Sequence, residues 1–128
     1  MKMLDVVAGI LVDAERGVLI SERNEEGPFQ GLWEFPGGKI GAGETPVAAL
    51  RRELEEEIGI TISDAEDFMS LSHTYPDRHV DLRFFRITQW TGEPQGLEGQ
   101  RLRWVQPGDI DASYMLPADT PVIDALRS

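Results

Sequence analysis

The sequence predicts an α/β fold, a mixed-sheet sandwich formed by a single domain over residues 1–128. Runs rich in β-branched residues, bounded by turn residues, lie on both sides of one amphipathic helical segment. A second helical segment closes the chain. No repeat or linker divides the sequence, and 128 residues with 41% hydrophobic content suit one domain with its own core.

The predicted strands are short apolar runs between turn signals. They are Met3 to Val12, Val18 to Arg23, Leu32 to Phe35, Phe68 to Thr74, His79 to Trp90 and Arg101 to Val105. Residues 13–17 join the first two as a hairpin. The closing helix is predicted over Pro121 to Leu126, with Asp119 or Thr120 as its N-cap.

Composition excludes several classes of protein. The chain has no cysteine, which excludes a disulfide framework and is compatible with a cytoplasmic location. The apolar run from Val6 to Val12 is too short for a membrane span and is expected to be a buried strand. The formal charge of −11 disfavours a nucleic acid polymer as partner, because such binding needs a basic surface. A small anionic substrate is compatible, since a cation can neutralise its phosphates.

The central helix is predicted between Thr45 and Gly59. Thr45 is a preferred N-cap, Pro46 suits the first helical position and Gly59 suits the residue that ends the last turn. At about 100° per residue, one face of this helix is apolar. That face consists of Val47, Leu50, Leu54 and Ile58.

Three acids, Glu53, Glu56 and Glu57, share a flank turned away from the apolar face, near the helix C-terminus. The ordinary interpretation is a solvated face with i,i+4 ion pairs to the preceding Arg51 and Arg52. In those pairs the arginine comes first, which is the weaker orientation, and the macrodipole disfavours acids at this end. A divalent cation would offset the repulsion, because hard ions take carboxylate oxygens and bridge phosphates. We therefore predict a metal site here.

A spaced pattern runs from Gly38 to Ile60, GKIGAGETPVAALRRELEEEIGI. With U for an aliphatic residue it reads G-x5-E-x7-R-E-U-x-E-E-x-G-U, and it resembles the Nudix box at every fixed position. The segments WEFPGGKI, YPDRHV, GEPQGLEGQ and LPADTPVI resemble the MutT branch of that family, small nucleoside triphosphate pyrophosphohydrolases that remove oxidised nucleotides. The resemblance covers nearly the whole chain and implies the Nudix fold, an α/β/α sandwich with a mixed β-sheet.

The resemblance also implies a metal and a catalytic set. The metal is Mg²⁺, with Mn²⁺ able to replace it, and the implied ligands are the carbonyl of Gly37 and the carboxylates of Glu53, Glu56, Glu57 and Glu98. Glu53 is implied as the general base as well. Arg52 is expected to orient a glutamate within the helix, and Glu44 to support the preceding loop. Without the resemblance, Glu98 is an ordinary loop acid.

The implied substrate is a nucleoside triphosphate, cut by water between the α and β phosphorus atoms. Phe35 is expected to line the base pocket, and Asp77 and Arg78 match positions at the nucleoside. Arg23 and Lys39 are candidates for phosphate contact. For these two residues and for Arg78, the alternative is a solvated surface cation.

Asp119 departs from the pattern of the 8-oxoguanine-selective MutT proteins. They usually have asparagine there, whose amide donates to O6 and accepts the N7 proton of the oxidised base. An ionised aspartate only accepts, unless burial keeps it protonated. The segment PADTP also resembles the cytidine triphosphate pyrophosphohydrolases, in which an acceptor can meet the exocyclic amine of cytosine. A helix N-cap is the structural alternative for Asp119.

Three functions are therefore hypotheses. The first is hydrolysis of 8-oxo-dGTP to 8-oxo-dGMP and pyrophosphate by a monomer that sanitises the nucleotide pool. The second is pyrophosphohydrolysis of CTP or a modified dCTP. The third, a non-catalytic nucleotide-binding Nudix module, is disfavoured because every acid of the box is present. The two histidines and three tryptophans are expected to pack or to bond locally, not to act on substrate.

Overall fold

The structure, a computed structural model, describes residues 1–128 and contains two α-helices and nine strands. The helices are α1 (Pro46–Ile58) and α2 (Thr120–Arg127). The strands are β1 (Lys2–Asp13), β2 (Gly17–Glu22), β3 (Trp33–Glu34), β4 (Gly37–Lys39), β5 (Thr61–Ile62), β6 (Glu66–Tyr75), β7 (Arg78–Ile87), β8 (Trp90–Thr91) and β9 (Leu102–Val105). Three 3-10 turns follow β9, at Pro107–Asp109, Ala112–Tyr114 and Pro117–Asp119. Neither helix has the length and apolar character needed to cross a membrane.

Seven strands form one sheet with the long β1 at its centre. Its main order is β3-β2-β1-β7-β6, with β4 also paired to β1 and β9 to β2. β1 and β7 are parallel, from Lys2 opposite Arg78 to Leu11 opposite Ile87, whereas the other pairs are antiparallel. The mixed sheet is therefore confirmed. β5 and β8 form a separate two-stranded ribbon.

The two helices cover opposite faces of this sheet. Successive side chains of a strand point to opposite faces, and the neighbours Ile10 and Leu11 on β1 accordingly belong to different hydrophobic clusters. Leu11 packs in the cluster that contains Leu50 of α1, and Ile10 in the cluster that contains Val122 of α2. The layers are α/β/α, as predicted.

Both predicted ends of α1 are confirmed. Thr45 Oγ1 accepts a hydrogen bond from the Ala48 N–H at 3.1 Å, and Pro46 is the first helical residue. Gly59 has φ of 71°, in the left-handed region that favours glycine, and its N–H donates to the carbonyl of Glu55. Local signals thus suffice to define the helix that carries the acids.

Some strand bounds differ from the prediction. The strand predicted from His79 to Trp90 ends at Ile87, and Trp90 begins β8, which pairs with β5. The strand predicted from Leu32 to Phe35 shortens to Trp33–Glu34. β4 and β5 were not predicted, because two or three residues show no alternation and β4 owes its conformation to pairing with β1.

Candidate active site

Arg52 is the centre of a hydrogen-bond network that joins α1 to the loop before it. Its Nε and Nη2 donate to the two carboxylate oxygens of Glu44, both at 2.8 Å, and Nη1 donates to Glu53 at 2.8 Å. Nη2 also donates to the carbonyl of Lys39 at 3.1 Å. These bonds from Arg52, with one from the Gly41 N–H at 2.7 Å, lower the pKa of Glu44 to about 2. Arg52 therefore holds the loop and Glu53 in one geometry.

The carboxylate of Glu53 lies against the backbone of β4. A Cβ atom on Gly38 would overlap this carboxylate, so the close approach requires glycine at that position. Only 15% of the Glu53 side chain is exposed. Gly38 thus allows the carboxylate of Glu53 to lie against β4.

Glu57, one turn after Glu53 on α1, lies close to several other carboxylates. Burial, followed by the charges of Glu53, Glu98 and Glu34, raises the pKa of Glu57 to about 8, and the N–H of Gly37 opposes this rise. Such a set of oxygen donors fits a hard divalent cation, which would relieve the repulsion. No three acidic or histidine side chains already stand in a ligating arrangement, so binding of one ion requires side-chain rotation.

The loop between β8 and β9 reaches this cluster by bonding to the C-terminal end of α1. The last carbonyls of a helix lack partners within it, and that of Glu57 accepts from the Leu97 N–H at 3.1 Å and from Gln100 Nε2 at 3.0 Å. The oxygen of the same Gln100 amide accepts from the Glu98 N–H at 2.9 Å. Asn24 Nδ2 donates to the Glu98 carbonyl at 3.0 Å. The Gln100 amide thereby links the main chain of Glu98 to the last turn of α1.

One cavity of about 520 Å³ connects the acids with a buried pocket. The predicted site residues in its lining are Arg23, Phe35, Gly37, Lys39, Glu53, Glu57, Arg78, Glu98 and Asp119. Three others lie outside it, namely Arg52, Glu56 and Asp77. The side chain of Glu56 is 58% exposed and lies 3.5 Å from Arg52, and Asp77 is 64% exposed and binds Arg78 at 2.9 Å.

Asp119 lies in the buried part of this cavity and is itself 3% exposed. It occupies the N-cap position of α2 but makes no capping hydrogen bond, so the structural alternative for this residue is not supported. Phe35, 2% exposed, lines the same cavity and packs edge-on against Phe84 with 6.1 Å between ring centroids.

Glu34 lies between the two parts of the cavity and was not identified from the sequence. Its charge acts on both Glu57 and Asp119, and burial raises the pKa of Glu34 itself. A single acid in a two-residue strand shows no spacing that would have indicated this role.

Comparison with known proteins identifies the family to which this architecture belongs. The model of the NUDIX domain matches residues 3–126 of the chain. The chain belongs to the NUDIX family.

Relatives of this Nudix chain extend over its whole length. It is 40% identical to the 8-oxo-dGTP diphosphatase of Escherichia coli (strain K12) over 127 residues, which cover 99% of the chain and 98% of that relative. It is 34% identical to the CTP pyrophosphohydrolase of the same strain, covering 100% of the chain and 94% of that relative. The predicted place in the MutT branch is confirmed.

Solved structures support the same assignment. A structure from a study of MutT from Aliivibrio salmonicida and Vibrio cholerae aligns with a TM-score of 0.79 at 38% identity, covering 98% of this chain and 97% of the other. The solution structure of the E. coli ORF135 protein aligns with a TM-score of 0.84 at 35% identity, covering 100% and 93%. The predicted Nudix fold is confirmed.

Nudix hydrolases depend on a divalent metal, and the donors of this chain suit one. The predicted donors Gly37, Glu53, Glu57 and Glu98 line one cavity, and Glu56 lies one residue before Glu57 at its edge.

The tryptophans and histidines lie outside the cavity lining. Trp33 is buried in the core, as expected, and Trp90 and Trp104 stack on each other with 6.1 Å between ring centroids.

Proposed function

We propose that this Nudix protein hydrolyses 8-oxo-dGTP to 8-oxo-dGMP and pyrophosphate, with Mg²⁺ as the metal and Mn²⁺ able to replace it. The observation that carries the proposal is the cavity, which joins the acids of α1 to a buried pocket containing Phe35 and Asp119. A triphosphate at the acids would place an attached base in that pocket. The 40% identity to an 8-oxo-dGTP diphosphatase supports the choice of base.

In this proposal, metal bound by Gly37, Glu53, Glu56, Glu57 and Glu98 would neutralise charge on the phosphate oxygens. Glu56 has to turn inward from its exposed position to take part. Glu53 accepts the proton of the attacking water, whose oxygen bonds to phosphorus as the P–O bond that bridges the α and β phosphorus atoms breaks, which separates the monophosphate from pyrophosphate. Arg52 orients Glu53 through their 2.8 Å hydrogen bond.

The remaining predicted contacts bind the substrate. Arg23 and Lys39 line the cavity and offset the negative charge of the phosphates. Arg78 lines the cavity and contacts the nucleoside. Asp77 lies outside the cavity lining and positions the Arg78 guanidinium through their hydrogen bond. Phe35 packs against the base, and Asp119 recognises its edge.

A second candidate is hydrolysis of CTP or a modified dCTP. Two observations favour it: the acidic residue at position 119, and 34% identity over the full length to a CTP pyrophosphohydrolase. A carboxylate oxygen of Asp119 would accept from the exocyclic amine of cytosine. The catalytic glutamates keep the same roles in both candidates.

A steady-state panel of 8-oxo-dGTP, dGTP, dCTP, 5-methyl-dCTP and CTP, with pyrophosphate as the measured product, tests the proposal. We expect the highest kcat/KM for 8-oxo-dGTP. Glu53→Gln and Glu57→Gln should each lower turnover by about 10²- to 10⁴-fold, as loss of a positioned base or of ligand charge does. The matched control is Glu55→Gln, an exposed acid of the same helix. A preference for cytidine nucleotides would favour the second candidate, and no turnover of any nucleotide would indicate a binding module.

The proposal includes a role in sanitising the nucleotide pool, which protects DNA replication and lowers the demand for DNA repair. It also places the protein in the cytoplasm as a monomer. Chromatographic mass in solution, with and without substrate, tests this part.

A further inference from the structure

The turn that carries Glu98 is held by very little packing. It comprises residues 96–99 and is closed by a bond from the Gly99 N–H to the Gly96 carbonyl at 3.2 Å. Leu97 supplies the only apolar side chain of this turn and is 54% exposed. A segment without buried apolar contacts opens locally at small cost, so its hydrogen bonds decide where Glu98 lies.

Two side-chain amides hold the main chain of Glu98, one at each of its polar groups. Gln100 Oε1 accepts from the Glu98 N–H at 2.9 Å, and Asn24 Nδ2 donates to the Glu98 carbonyl at 3.0 Å. Gln100 relates Glu98 to α1, whereas Asn24 lies two residues after β2 and 74 residues before Glu98. The Asn24 bond therefore fixes Glu98 to a second, distant element of the fold.

The chain just before Asn24 is itself fixed, so the amide starts from a defined position. The N–H and the carbonyl of Arg23 both bond, at 2.8 Å, to the returning half of the loop between β2 and β3. The Glu22 N–H donates to the Arg101 carbonyl at 2.9 Å, and the Glu22 carboxylate accepts from Arg101 Nε at 3.0 Å. These contacts continue the pairing of β2 with β9, and the Asn24 amide adds the next contact between the same two segments.

The direction of this hydrogen bond determines which side chains can make it. A carbonyl oxygen only accepts, so the amide of Asn24 has to present its NH₂ group to Glu98. An aspartate of the same shape has no donor and cannot replace it. Asn24 and Glu98 both line the main cavity, so the bond lies at the edge of the candidate site itself.

We infer that Asn24 is a positioning residue, which ties the main chain of Glu98 to the end of β2 and thereby keeps the Glu98 carboxylate at the metal site. This inference rests on the proposed function, in which Glu98 is a metal ligand. Ordering a mobile ligand opposes binding, and a ligand that is already held avoids that cost. Groups that orient metal ligands accordingly change the affinity for the metal when they are lost.

The bridge can be measured in the metal-free protein. Asn24→Asp keeps the shape of the side chain and removes its donor, and Asn24→Leu removes both polar atoms. We expect the main-chain N–H groups of Glu98 and Gly99 to exchange with water about three- to tenfold faster in both variants, as loss of one ordinary hydrogen bond implies. Exchange is followed by NMR in the presence of chelator. Unchanged exchange in both variants would overturn the inference.

The effect on the metal is measured as the Kd for Mn²⁺ in calorimetric titration. Asn24→Leu should raise this Kd by about three- to tenfold, in line with the bond that is lost. The thermal transition in chelator should stay close to that of the wild type, because Asn24 is exposed and a merely structural effect would appear there. Faster exchange with an unchanged Kd would also overturn the inference, since the position of Glu98 would then not matter to the metal.

The matched control is Gln30→Leu, which removes another exposed amide of the same loop from a residue outside the cavity lining. The main-chain N–H of Gln30 donates to the Gly27 carbonyl at 3.3 Å and survives the change. Exchange at Glu98 and the Kd for Mn²⁺ should both match the wild type. Equal effects of Gln30→Leu and Asn24→Leu would overturn the role of the Asn24 amide. If the wild type binds no Mn²⁺, the proposed function fails, and the exchange measurement alone decides whether Asn24 holds Glu98.

Discussion

Arg52 holds Glu44 through two parallel hydrogen bonds, from Nε to Oε2 and from Nη2 to Oε1, both 2.8 Å long. The planar guanidinium matches the two oxygens of a carboxylate, and its remaining nitrogen is free to bind Glu53. The loop before α1 and the proposed base on α1 are thus joined by one side chain. This arrangement explains why the box has an arginine and a distant glutamate that do not line the cavity.

Arg52→Lys should lower kcat by about 10- to 100-fold, the usual effect of losing a group that orients a ligand or base. A lysine ammonium is a point charge and cannot bind Glu44 and Glu53 with the same geometry. The measurement is kcat and KM for the preferred nucleotide, together with the thermal transition to show that the protein folds. Arg51→Lys, a change at the exposed neighbour, is the control. Equal kcat for both variants would contradict the orienting role.

The helix that carries the acids was predictable because its signals are local. Thr45, Pro46 and Gly59 define α1 by capping chemistry, and the spacing of its residues separates an apolar face from an acidic one. These features need no knowledge of the tertiary structure. The close approach of Glu53 to Gly38 does need it, because this contact joins α1 to β4.

Glu34 and Gln100 could not be predicted in the same way, because their roles arise from contacts distant in sequence. Glu34 gains importance from burial between Glu57 and Asp119, which lie far apart along the chain. Gln100 acts through the carbonyl of Glu57, 43 residues earlier. Strand β4 likewise depends on pairing with β1, not on local propensity.

Mg²⁺ or Mn²⁺ should raise the melting temperature of the protein. A ligand that binds only the folded state at about 100 times its Kd stabilises it by about 2.7 kcal/mol, and here it also relieves repulsion among carboxylates. Thermal scans in chelator and at increasing metal concentration measure the gain, which Glu57→Gln should largely lose. Glu55→Gln should keep it. Melting temperatures that do not change up to millimolar metal would argue against a metal site.

The pKa of Glu57 predicts a pH dependence of the metal-free protein. Below pH 4.5 the carboxyl is protonated in the folded and unfolded states, whereas between 4.5 and about 8 only the folded state keeps the proton. Stability contributed by neutral Glu57 is therefore lost as pH rises toward 8. In denaturant titrations with chelator, Glu57→Gln should become progressively more stable than wild type over this range, by at most about tenfold in the unfolding constant per pH unit. A difference independent of pH would contradict the burial of this acid.

The bridge made by Gln100 predicts that a residue far from α1 in sequence controls metal affinity. Its amide nitrogen donates to the Glu57 carbonyl at 3.0 Å, and its oxygen accepts from the Glu98 N–H at 2.9 Å. Gln100→Leu removes both bonds, so the backbone of Glu98 loses its link to the Glu57 carbonyl through this side chain, while the bonds from Leu97 and Asn24 remain. We expect the Kd for Mn²⁺, measured by calorimetric titration, to rise by about 10- to 100-fold, as is usual when a group that positions a ligand is lost.

The matched control for this change is Gln95→Leu. Gln95 lies in the same loop and also bonds to α1, but through its main-chain N–H, which donates to the Ile58 carbonyl at 3.0 Å and survives the substitution. Its side chain is exposed, so the loop should keep its position and the Kd for Mn²⁺ should stay close to that of the wild type. Equal losses of affinity in the two variants would mean that the loop, and not the Gln100 amide, positions Glu98. An unchanged Kd in Gln100→Leu would mean that Glu98 reaches the metal without this bridge, or that it is not a ligand.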